Sequence, residues 1–149
     1  MKSLFEQEAA AELQHRLAGL QQDARPGWGK MDVAQMLAHC SAGLDMAAGR
    51  IHPKGTFLGK LIGRRMRPLY SSDKPMGKNS PTARELIMVE DRKFLDEKQH
   101  LAELINSFHD GGPAGCTTSP HPFFGPLTPE EWGKGMYKHI DHHFRQFGI

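Results

Sequence analysis

The stretch Thr128-Pro-Glu-Glu-Trp132-Gly-Lys-Gly-Met136-Tyr-Lys-His139-Ile-Asp-His-His143-Phe-Arg-Gln146-Phe147 decides the fold. Thr at the cap, Pro at the first helical position and Glu three residues after the Thr form a strong helix-start signal. At about 100° per residue, Trp132, Met136, His139, His143, Gln146 and Phe147 share one face, while Lys138, Asp141 and Arg145 point the other way. Two imidazoles one turn apart on an inward face need partners. Core hydrogen bonds would serve, and so would a shared divalent metal ion.

Other helices can be read upstream. The loop 114–127 carries Cys116, His121, Phe123 and Phe124. The helix before it starts at Asp91, buries Phe94, Leu101, Leu104, Ile105 and Phe108, and stops at Gly111-Gly112-Pro113. A first helix over 3–22 has Ser3 as its cap and Phe5, Ala9, Leu13, Leu17 and Leu20 as its stripe. A second over 32–49 has Val33, Met36, Leu37, Cys40, Leu44 and Ala47. Residues 51–90 form an irregular connector with Pro53, Pro68, Pro75 and Pro81, a short helix near 57–67 and a brief extended run at 86–89. Four amphipathic helices bury a core best as a four-helix bundle. The connector is long enough to cross it, which would let helices two and three run parallel. The expected fold is an all-α single domain over 1–149.

Composition narrows the function classes. Hydrophobic residues are 38% of the 149 and charged ones 24%, as in a soluble globular chain. No apolar run would cross a bilayer, and Glu6, Glu8 and Glu12 interrupt any secretory signal, so a cytoplasmic protein with no membrane partner is expected. Cys40 and Cys116 make no disulfide framework. The net charge of +2 is unevenly spread: residues 51–84 hold eight Lys/Arg and one acid, Asp73. Such a connector attracts anions. Without interleaved aromatics or a recognised motif, however, no nucleic-acid partner is expected.

His139-x-x-x-His143 is not HExxH, because Ile140 stands where a catalytic Glu would be, so a zinc-protease reading fails. A third ligand must come from elsewhere, and His39, on the flank of the second helix, is the best candidate; a half-exposed structural His is the alternative. His142 points about 100° from His143 and suits a rim position. His121 could approach the site mouth, in a structural or substrate-facing role rather than as a ligand. Gln146, one turn past His143, could orient a ligand or make a core hydrogen bond. Cys40 reads as a small buried residue.

Residues from Trp28-Gly-Lys-Met-Asp-Val-Ala-Gln-Met-Leu-Ala-His39-Cys40, Thr82, His121-Pro-Phe-Phe-Gly-Pro-Leu-Thr-Pro-Glu-Glu-Trp132 and Tyr137-Lys-His139-Ile-Asp-His-His143-Phe-Arg-Gln-Phe-Gly148 resemble the DinB/YfiT-like metalloenzyme superfamily, and within it the DUF1569 family. The resemblance implies a four-helix bundle with a long crossover and a metal site made of His39, His139 and His143. The superfamily often follows its last ligand with Arg-Gly-Gln. Here Phe144-Arg145-Gln146 keeps the Gln and displaces the Arg. Characterised members of the superfamily include metal-dependent transferases joining low-molecular-weight thiols to electrophiles and a thiol-dependent maleylpyruvate isomerase. DUF1569 itself has no assigned reaction.

The expected function is therefore a metal-dependent enzyme acting on a small molecule. Its ion is Zn²⁺, with Ni²⁺ or Fe²⁺ as alternatives, and a thiol S-transferase with a low-molecular-weight thiol cofactor leads over a hydrolase. A non-catalytic metal-binding stress-response protein, as a homodimer, is the rival reading.

Overall fold

A computed structural model describes residues 1–80 and 82–149. Among them the structure is all-α: α1 (Gln7–Gly19), α2 (Val33–Ala47), α3 (Arg64–Tyr70), α4 (Phe94–Gly111) and α5 (Pro129–Gln146), with no strand. Pro81, read as one of the connector prolines, lies outside the described residues.

The capping signals account for two of the helix starts. Asp32 accepts from the Gln35 amide while the Gln35 side chain accepts from the Asp32 amide, and Thr128 and Glu131 repeat the arrangement at α5. Two other expected starts shift inward. Ser3 does not cap α1: its hydroxyl takes the Phe5 amide in a turn, and the helix begins after Glu6. Asp91 does not open α4, which begins after Lys93 with no side-chain cap. In both cases an apolar residue, Leu4 or Phe94, is buried at the edge of the core and fixes the start more firmly than the polar candidate does. The 86–89 run is not one extended piece. Arg84–Leu86 is a single 3₁₀ turn that buries Leu86, and Ile87 and Val89 are exposed.

α5 is buried over a wider arc than the single stripe predicts. Besides Trp132, Met136, His143 and Gln146, it buries Ile140 and Phe144 completely. The second arc faces α1, where Arg16 pairs with Asp141 at 2.7 Å and lies over the Phe144 ring. α2 packs against α4 and α5, and α1 packs against the same two helices. Gln35, near the start of α2, reaches the Glu90 carbonyl ahead of α4. The Ala47 carbonyl at the far end accepts from Thr117, beyond α4. Leu13, Leu17, Leu37, Leu44, Leu101, Ile105 and Phe144 fill the space between. No helix among the described residues is long and apolar enough to cross a membrane.

Candidate metal centre

His39 is drawn fully into the core by its neighbours on α2. Met36, Leu37, Cys40 and Leu44 are each 0% exposed, and His39 itself is 5% exposed. The flank position expected from the helical wheel is thus an inward one. Its Nδ1 lies 2.7 Å from the Leu86 carbonyl. A carbonyl can only accept, so Nδ1 carries the proton and Nε2 presents a lone pair. That lone pair faces His139 on α5, with the two Nε2 atoms 3.0 Å apart.

A second chain of bonds fixes His143. The Trp28 carbonyl is 2.5 Å from Gln146 Nε2, and Gln146 Oε1 is 2.8 Å from His143 Nδ1. Because Trp28 offers only an acceptor, the Gln146 amide must turn its NH₂ to Trp28 and its oxygen to His143. His143 then donates from Nδ1, and its Nε2 is left free as a base. The three rings form a nearly equilateral triangle, with centroid separations of 4.9, 4.7 and 4.8 Å. One ligand nitrogen from each lies within 4.8 Å of the other two, so the three together could hold a metal ion.

His139 carries the most telling polar atom. Its Nδ1 is buried and has no partner. If the ring proton sits on Nδ1, it is unsatisfied and two Nε2 lone pairs oppose each other. If it sits on Nε2, it bonds to His39 and leaves a dry lone pair. Burying an unpaired group of this kind costs about 1–3 kcal/mol. A cation accepting from all three Nε2 atoms removes the opposition of lone pairs and leaves only the His139 Nδ1–H without a partner, so the donor set fits a divalent metal.

Over residues 2–148 the chain matches the family described as "Protein of unknown function (DUF1569)". The chain belongs to the DUF1569 family. No curated protein and no solved structure matches it.

Electrostatics keep the three rings of this DUF1569 chain neutral. Burial lowers the proton affinity of all three rings. His139 falls well below the ordinary range through burial and then through His143 and His39. His143 falls to about 3 through burial and then His39, against the opposing bond to Gln146. His39 falls by burial, partly offset by Leu86. Neutral imidazole is the form that binds a metal.

The other anticipated residues of this DUF1569 chain surround the triangle without joining it. His142 stands edge-on to His143 at 5.2 Å and against Trp28 at 5.4 Å. His121 is spent locally: its Nδ1 accepts from the Phe123 and Phe124 amides, and its ring packs on Tyr70, Phe124 and Trp132. A cavity of about 230 Å³ between His121, Thr117, Met46 and Trp132 lies further along the α2–α5 seam, and the triad does not line it. Cys40 is the small buried residue expected, its thiol pushed up by burial and its sulfur 3.8 Å from that of Met36. Cys116 is pushed up to about 11, also by burial, so neither thiol is an activated nucleophile.

Two participants escape any reading of side chains: the Leu86 and Trp28 carbonyls. The one signal for the second is Gly29, whose φ of +82° and lack of a Cβ let Gln146 Nε2 approach within 2.7 Å of where a Cβ would stand.

Proposed function

We propose that this chain is a metal-dependent enzyme in which His39, His139 and His143 hold one divalent ion, with Zn²⁺ the leading candidate and Ni²⁺ or Fe²⁺ the alternatives. The observation that carries the reading is the convergence of three neutral imidazoles, two of them with tautomers set by bonds to Leu86 and Gln146. When bound, such an ion supplies Lewis acidity and lowers the pKa of a coordinated thiol or water. The chain's own part is to keep the three rings unprotonated, aimed and sheltered from bulk water. Gln146 acts through His143, His142 stands nearby as a group facing a substrate, and His121, committed to the 123–124 amides, lines the neighbouring cavity.

The same reading makes residues 1–149 one domain, a four-helix bundle of the DinB/YfiT-like superfamily with a crossover between α2 and α4. In support, the bonds Gln35–Glu90 and Ala47–Thr117 tie the beginning of α2 to the chain ahead of α4 and its end to the chain beyond α4, as two parallel helices require. On the superfamily likeness we favour transfer of a low-molecular-weight thiol to a small electrophile over hydrolysis. The test is the metal-loaded protein assayed with a panel of small thiols and electrophiles beside His139→Ala. Thiol conjugation faster than in the variant supports the transferase. Stoichiometric metal with no acceleration of thiol transfer or hydrolysis favours the non-catalytic metal-binding reading.

A further inference from the structure

The helical segment 57–70, which includes α3, is turned inside out relative to an ordinary amphipathic helix. Its inward positions are Gly59, Gly63 and Tyr70, all buried. The cause is backbone contact. A Cβ at 59 would stand 2.7 Å from the Phe123 backbone, and one at 63 would collide with the Phe123 carbonyl, so only glycine lets the segment lie flat on that loop. Thr56 donates to the Pro122 carbonyl at 2.9 Å, Arg67 pairs with Glu131, and Lys138 donates to the Leu69 and Ser72 carbonyls. These contacts pin the orientation at both ends.

The large apolar side chains are therefore left outside. Phe57 is 79% exposed, Leu61 64%, Leu58 43%, Ile62 40%, and Met66 and Leu69 37% each. Six on one short element is more than the scattered single exposures normal for a protein surface. Lys60, Arg64 and Arg65 stand exposed among them, and none makes an ion pair among the described residues. The single acid of residues 51–84, Asp73, is engaged by the N-terminal ammonium at 3.3 Å.

We propose that segment 57–70 docks the chain on an anionic lipid surface, lying in the interfacial plane with its six apolar side chains at the acyl boundary and Lys60, Arg64 and Arg65 among the headgroups. The partner must be apolar and anionic at once, and an acidic bilayer surface is both. A second copy would set these cations against themselves. A nucleic acid would leave six apolar side chains against phosphate. The segment is too short to span a bilayer, so this docking is separate from any transmembrane insertion.

Co-sedimentation of the full chain with vesicles tests the proposal. The vesicles are phosphatidylcholine alone or with about a third phosphatidylserine. Binding is expected only with phosphatidylserine, and it should weaken as salt rises. The double variant Phe57→Ser/Leu61→Ser should bind at least about tenfold more weakly. Both side chains are exposed and belong to none of the three candidate ligands, so its helicity and metal content should be unchanged. No binding to acidic vesicles, or equal binding to both kinds, overturns the proposal. So does a wild-type dimer that the double variant abolishes, or retention on duplex DNA unaffected by the double variant.

Discussion

Gln146 Oε1 lies 2.8 Å from His143 Nδ1, and the same amide donates to the Trp28 carbonyl. One side chain thus transmits the position of the 27–29 loop to a ring of the candidate metal centre. Replacing it with an apolar residue of similar length should release that ring and leave the buried His143 Nδ1 and the half-buried Trp28 carbonyl unpaired. For Gln146→Leu we expect metal affinity to fall about 10–100-fold and stability to fall by about 1–3 kcal/mol. Calorimetric titration with Zn²⁺ and urea unfolding check the two separately. Wild-type affinity in a folded variant would remove Gln146 from the site.

The metal-free protein should be sensitive to acid in a defined window. Burial depresses His121 to about 4 and His143 to about 3, and lowers His39 and His139 as well. Each ring in the unfolded chain titrates near 6.5 and takes up its proton before the folded one does. The unfolded state therefore binds more protons below that value. The stability contributed by these neutral rings is full above about pH 6.5 and is lost as pH falls, by up to about 1.4 kcal/mol per pH unit for each histidine. Urea midpoints measured from pH 7.5 down to pH 5 should drop progressively. A flat profile across that range would contradict the buried, neutral assignment.

Gly135 lies under Tyr70, and a Cβ there would overlap the phenol ring. Tyr70 is itself held by Phe124 at 4.8 Å and Trp132 at 6.3 Å, so it has little room to retreat. In an open helix Gly→Ala stabilises by about 1 kcal/mol. Here overpacking of about 1–3 kcal/mol opposes that gain, and Gly135→Ala should be net destabilising in thermal unfolding. A raised melting temperature would mean that the α3–α5 contact is looser than described.

The sequence carried the helical class, the α5 start and the His139–His143 pair because each rests on local chemistry: a capping box, a 3.6-residue period, an i,i+4 spacing. His39 was legible as a candidate but not as a buried one. Its depth comes from how α2 sits between α4 and α5, which no wheel encodes. The Leu86 and Trp28 carbonyls were invisible because every residue has a carbonyl, and only tertiary placement singles one out. The starts at Ser3 and Asp91 were misread for a related reason. A polar residue ahead of an apolar run looks like a cap until packing of Leu4 and Phe94 decides where the helix can begin. A short helix near 57–67 was legible, but not its orientation. Which side it turned outward depended on two glycines meeting the Phe123 backbone.

Elemental analysis of the purified wild type beside His39→Ala, His139→Ala and His143→Ala tests the central claim most directly. The account predicts about one divalent ion per chain in the wild type. It predicts loss of that ion in each variant, with helicity retained. Stoichiometric metal that survives all three substitutions, or a wild type that takes up no divalent ion even when supplied in excess, would contradict it.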